Sequence, residues 1–168
     1  MKKIFLIFLL LIFSQTAFAR SELIPKNKQI QYKKEIEFII NNEYPYIINN
    51  INDCVKDAKK IRNRILRSGF NTDDYVVLSL IPESRIASAD LDLYVKLLEI
   101  TKEKYMGINY ESLGTDNVNT FEEILFPYFK ENNVNTKKLT KIITYENKKI
   151  KVVEKYIRQV ERLRSIED

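Results

Sequence analysis

The chain contains no histidine and no tryptophan, and a single cysteine in 168 residues. Without an imidazole there is no Ser-His-Asp or Cys-His catalysis, no His-ligated zinc and no side chain whose ordinary pKa falls near neutrality. One thiol, Cys54, closes no internal disulfide and supports no thiolate metal site. It sits on an apolar seam and reads as a small buried hydrophobe, with an intermolecular bridge left open. Glycine is confined to Gly69, Gly107 and Gly114, and proline to Pro25, Pro45, Pro82 and Pro127. An all-β domain needs a turn about every 8–12 residues, so this scarcity of breakers points to long helices. No Asn-x-Ser/Thr sequon occurs, so nothing indicates a glycosylated route, and the abundance of Lys, Asn and Ile fits a bacterial composition. No cofactor is expected.

The amino-terminal stretch has the three-part layout of a secretory signal. Lys2 and Lys3 supply positive charge, Ile4 to Phe13 is an unbroken apolar run, and Ala17-Phe18-Ala19 presents small side chains at alternate positions. The run is shorter than the about 20 residues that a membrane span needs. Cleavage after Ala19 leaves Arg20 first, so the expectation is a signal over 1–19 and one domain over 20–168, exported to the periplasm or beyond. Arg20 stands where a bacterial lipoprotein requires cysteine. If the segment were retained, the chain would be an anchored subunit of an envelope assembly. Loss of Lys2 and Lys3 leaves 26 basic residues against 23 acidic ones, lowering the net charge from +5 to +3. That balance suits anionic surfaces or acidic partners and falls short of a nucleic-acid footprint. Oligomeric state is not readable from the chain.

The spacing predicts an all-α fold of five or six helices, bundle-like, with a long kinked amino-terminal helix and a long carboxy-terminal one. From about Gln29 to Ser68, Ile36, Ile40, Tyr44, Ile47, Ile51, Cys54, Ala58, Ile61 and Ile65 recur at steps of three and four, one continuous apolar stripe. Pro45 should kink or restart this helix, and Gly69 stands where a carboxy-terminal cap belongs. Thr72 is placed to cap a short helix over 73–80, with Asp73 and Asp74 matched to its dipole, and Pro82 should close it. A further helix is expected from Glu83 or Ser84 to Met106, with Gly107 ending it. A loop over 108–119 then precedes the capping box Thr120-Phe121-Glu122-Glu123 and a helix containing Pro127. In the last segment, residues 142–153 admit a small hairpin turning at Glu146 to Lys149. Against it, Leu139, Ile142, Ile143, Ile150, Val153, Tyr156, Ile157, Val160 and Leu163 keep one helical phase, which favours a helix, broken at most near Asn147.

Lys56, Lys60, Arg64 and Arg67 lie at i, i+4, i+8 and i+11, opposite the seam through Cys54 and Ala58. This basic stripe is the candidate binding site, suited to phosphates of an envelope surface or to an acidic protein partner. It competes with the plainer reading of a solvated helix face. The stretch from Lys137 to Asp168 carries a similar bias, ten basic against five acidic residues. Several of the ten tyrosines stand near expected helix ends or kinks, where they suit an interface or a core rim. In "LSLIPESRIAS", Glu83-Ser84 follows an apolar helix carrying Pro82, and about ten residues here resemble the catalytic Glu-Ser pair of lytic transglycosylases. The resemblance implies Glu83 as a catalytic acid on peptidoglycan. The Gly-Leu-Met-Gln signature of that family is absent downstream, where Leu91-Asp92-Leu93-Tyr94-Val95 stands instead. The reading that fits more of the chain is a non-enzymatic, exported binding or adaptor protein; the hydrolase using Glu83 is the alternative.

Overall fold

A computed structural model describes residues 26–101 and 118–167, the side chains of 118–124 and 166–167 excepted. The expected signal with Ala17, Ala19 and Arg20, the loop over 108–117 and the helix end at Gly107 lie outside the described residues. Every element described is helical. Helix α1 spans Lys26–Ser68, α2 Thr72–Ile81, α3 Leu91–Thr101, α4 Val118–Glu131 and α5 Lys137–Glu167, with a π-helical segment at Pro82–Ile86 between α2 and α3.

The isoleucine spacing of α1 becomes its core face: Ile36, Ile40, Ile47, Ile51, Cys54, Ala58 and Ile65 are buried, with Tyr44 and Ile61 packed at the margin. The helix runs unbroken through Pro45, without the fresh start that the proline suggested. Pro45 and Asn41 are both exposed, so the carbonyl that loses its partner faces water, and core packing on either side holds the helix together. Gly69, at φ 88°, takes the left-handed position past the end.

The cap of α2 is Asn71, one residue before the expected Thr72. Its backbone is extended, and its Oδ1 accepts the Asp74 N–H at 3.0 Å. Asn is among the best N-caps, and Thr72 becomes the first helical residue. Pro82 closes α2 as expected, standing at its carboxy-terminal cap after Ile81, and the path continues beyond it in another form. Its φ of −56° and ψ of −50° are helical, and the chain widens there into a π turn in which the Ala87 N–H bonds the Pro82 carbonyl at 2.9 Å. A proline without an N–H fits where the bonding pattern shifts from i−4 to i−5. Glu83 and Ser84 accordingly belong to the π turn, and the following helix begins only at Leu91.

Helix α4 starts at Val118, which places Thr120 inside it and not at its cap; the capping-box side chains fall outside the description. It ends on Asn133 at φ 52°, where Val134 N–H bonds Phe129 O at 2.8 Å and Asn133 N–H bonds Lys130 O at 3.2 Å. This is a Schellman closure, with Val134 buried as its apolar contact. Helix α5 is continuous over 31 residues, so the hairpin over 142–153 does not form and Asn147 makes no break. Leu139, Ile142, Val153 and Val160 are buried; Glu146 takes an apolar-phase position in the same row and is also buried.

The side-chain contacts fix the topology. Arg62 bonds Gln159 across 97 residues, Tyr145 bonds Asn52 across 93, and Asn135 N–H bonds Glu37 across 98. A near-constant offset means that α1 and α5 run parallel. Arg64 meets Asp74, Asp57 meets Arg85, and Glu43 meets Lys96. These partners climb on one side as they fall on the other, so α2, the π turn and α3 form one return arm antiparallel to α1. The arm also touches α5, where Tyr75 O–H donates to Glu161 at 2.9 Å. The core lies between the three limbs, filled by Leu78, Ile81, Ile86, Leu93, Tyr94, Leu97 and Leu98 from the arm and by the inner rows of α1 and α5.

Candidate functional site

The basic stripe on α1 exists, and its charges are largely met at home. Lys56 lies 3.6 Å from Asp53 and Lys60 3.3 Å from Asp57, each at i,i+3. Arg64 makes a two-pronged contact with Asp74 on α2, Nε to Oδ2 at 2.6 Å and the second prong at 2.5 Å. Arg85 from the π turn adds a second cation to Asp57 at 3.3 Å. The Asp57 carboxyl is held below its ordinary range, first by the hydrogen bond from Lys60 and then by that from Arg85; Asp74 is lowered by its bond from Arg64. Arg67, in the last turn of α1, is exposed and lies favourably against the helix dipole. The stripe is therefore an alternation of cations and carboxylates tying α1 to the return arm.

Glu83 is exposed on the π-helical segment. Its carboxyl faces water and is not set in an apolar pocket. Cys54 is buried on the seam, and burial pushes its thiol pKa up, which suits packing and opposes thiolate reactivity. Among the described residues no cluster of Cys, Asp and Glu is arranged to hold a metal ion.

The outer face of α5 is different. Lys137, Lys141, Lys148, Lys151, Lys155, Arg158 and Arg162 follow one another at steps of 4, 7, 3, 4, 3 and 4, and the one gap in the row, at 144, is threonine. All eight positions are exposed. At 1.5 Å per residue the row is about 37 Å long. It lies opposite the buried row of Leu139, Ile142, Val153 and Val160, and so points away from the bundle. Arg158 pairs with Glu154 at 3.8 Å. The other six cations make no ion pair among the described residues. Glu161, the remaining acid on this stretch that comes near the row, accepts from Tyr75 instead. The inward-leaning cations of α5 are used in packing, Lys138 over the Tyr44 ring at 5.3 Å and Lys149 over Tyr145 at 4.9 Å.

At the amino-terminal end of this row a concavity of about 200 Å³ is lined by Glu37, Asn41, Asn135, Lys137, Lys138 and Lys141. Its one carboxylate, Glu37, is engaged by the Asn135 N–H at 2.8 Å. Nothing in the first turn of α5 is acidic, so two lysines stand where the helix dipole favours anions.

The bulk charge count of the carboxy-terminal segment registered this excess without its arrangement. The signal that separates the two stripes was present in the sequence. Lys56 and Lys60 each have an aspartate three residues earlier, whereas Lys137, Lys141, Lys148, Lys155 and Arg162 have no acid three or four residues away in either direction. No protein-family model, curated protein or solved structure matches this chain, so the reading of its function rests on this geometry.

Proposed function

We propose that the chain is an exported, non-enzymatic binding protein that attaches to polyanionic material of the cell envelope through the outer face of α5. The observation that carries this reading is the row of seven exposed cations, six of them without an ion-pair partner among the described residues. Lining up like charges at helical spacing costs stability, and a folded chain that keeps such a row has a use for it. The layout of residues 1–19 supplies the compartment. The α1 residues Lys56, Lys60, Arg64 and Arg67 play a secondary part, since most of their charge is already met by Asp53, Asp57 and Asp74.

The test is retention on an immobilised polyphosphate column. The full chain should bind and elute with rising salt, because attraction between exposed charges is screened over about 10 Å at moderate ionic strength. Lys148→Glu, Lys151→Glu and Lys155→Glu together should abolish retention, while Lys56→Glu should reduce it little. Equal losses from the two sets would sink the assignment to α5. Glu83→Gln should leave retention and any envelope phenotype unchanged; loss of peptidoglycan turnover in that variant would move the reading to the hydrolase. Intact mass of the exported protein checks the cut after Ala19.

A further inference from the structure

We infer that the ligand of the α5 face is the phosphate-bearing surface of an anionic lipid bilayer, on which α1 and α5 lie side by side without inserting. The inference rests on the polyanion reading above and narrows it from any polyanion to a planar one.

Three observations favour a plane over a threaded polymer. First, the cations extend beyond one helix. On α1, Lys34, Asn52 and Lys59 stand 18 and 7 residues apart, five and about two turns, and so share a face. That face borders α5, because the Tyr145 hydroxyl donates to Asn52 Oδ1 at 2.7 Å. Tyr145 in turn lies four residues after Lys141 and three before Lys148. Lys34 and Lys59 are exposed and make no ion pair among the described residues. The parallel helices thus bring Lys59 beside the α5 row and Lys34 near its amino-terminal end, so the cationic surface, about 37 Å long, is wider than one helix. Second, five of the seven cations on α5 are lysines. An ammonium is a compact, hydrated point charge on a mobile stem, whereas the arginine fork reads individual phosphates in a bidentate way. Such a face suits many loosely held headgroups better than a few fixed phosphates. Third, the row contains no aromatic or large aliphatic side chain; its only uncharged member is Thr144. Single-stranded nucleic acid and similar chains are held by aromatic platforms interleaved with the cations, and interfacial helices that insert carry Trp, Phe or Leu. The α5 row has neither, Phe38 is a single exposed ring on the α1 side, and no described helix is long and apolar enough to cross a membrane. What remains is electrostatic docking on the headgroup plane, where each basic residue contributes on the order of a fivefold gain in affinity.

The experiment is cosedimentation of the full chain with phosphatidylglycerol–phosphatidylcholine vesicles and with phosphatidylcholine vesicles, alongside the polyphosphate column. The expected result is pelleting with the anionic vesicles only, reversed by salt, with far-ultraviolet circular dichroism unchanged on binding. Lys34→Gln with Lys59→Gln should weaken vesicle binding by about fivefold for each lysine and leave the elution salt from polyphosphate nearly unaltered. Both sites are exposed, and a thermal melt confirms that the variant folds. Retention on polyphosphate without pelleting overturns the bilayer inference and leaves the polyanion reading standing. Failure of both removes both. Pelleting that is indifferent to Lys34 and Lys59 overturns the two-helix footprint.

Discussion

A surface kept for binding should cost the fold something, and on α5 that cost can be worked out. Within the row, like charges stand at i,i+3 or i,i+4 in five places: 137–141, 148–151, 151–155, 155–158 and 158–162. Each such pair destabilises an exposed helix by about 0.2–0.5 kcal/mol. Lys151→Gln together with Lys155→Gln removes three of the five. Glutamine has nearly the helix propensity of lysine, both positions are exposed, and neither lysine holds an ion-pair partner among the described residues. Lys151 also stands three residues before Glu154, and losing that attraction offsets about one of the three repulsions, so the double variant should be more stable than the parent by about 0.4–1.0 kcal/mol at low ionic strength. Urea denaturation followed by circular dichroism measures this directly, with the slope expected to stay constant and only the midpoint to move. In high salt the difference should shrink toward zero, because the repulsion is screened. A variant that is less stable than the parent, or a gain that ignores salt, would refute the reasoning. The first result would mean that these lysines hold contacts within the fold, the second that the gain is not electrostatic.

The remaining expectations concern the scaffold. Ile51, fully buried where α1 meets the rest of the core, should cost about 2–5 kcal/mol when replaced by alanine, read as a drop in the urea midpoint; a loss below that range would mean that the site collapses around the deletion. Asn71→Ala removes the acceptor for the Asp74 N–H and should cost about 1 kcal/mol, with Asn71→Ser restoring most of it. The Asp74 carboxyl is held below its ordinary range by Arg64, so its contribution to stability is present above the unfolded carboxylate pKa and lost as pH falls through the lowered folded value. The stability difference between the parent and Asp74→Asn should therefore fade on acidification below about pH 4, and a difference that is constant with pH would remove the ion pair as its cause.

The fold could be read from the chain to the extent that it depends on period. The α1 isoleucines recur at steps of three and four, and the helix they specify buries those side chains. The carboxy-terminal row holds its phase across Asn147, and the continuity of α5 follows from that phase. Where the reading slipped, a local rule met a stronger neighbour. At Pro45 a kink or a fresh start is expected, and the fresh start is absent because the proline lies on the exposed side of a helix whose buried rows continue on both flanks. Thr72 is a fair cap, yet Asn71 beside it is a better one and carries the extended backbone a cap requires. Pro82 does end α2, but the π turn that follows it, with one hydrogen bond re-spaced, takes up Glu83 and Ser84 and delays the next helix to Leu91. The parallel pairing of α1 with α5 was beyond reach, because it depends on which partners lie about 95 residues away, and period carries no such information.

The comparison of the two basic stripes shows what a charge pattern is able to say. Both have lysines and arginines at helical spacing, and both lie opposite an apolar seam. Spacing alone assigns them the same role. What separates them is the placement of acids. On α1, Asp53 and Asp57 stand at i−3 to Lys56 and Lys60, and the return arm brings Asp74 to Arg64. Two of these three partners follow from sequence offsets and only the third needs the fold. On α5 the offsets are empty around five of the seven cations, and among the described residues no acid reaches them from elsewhere, since Glu161 turns to Tyr75 and Glu37 to the Asn135 backbone. A stripe answered by its own carboxylates is a structural fastening. A stripe left unanswered among the described residues along about 37 Å carries repulsion that only something outside them can relieve, and that asymmetry is the ground on which α5, and not α1, is proposed as the binding face.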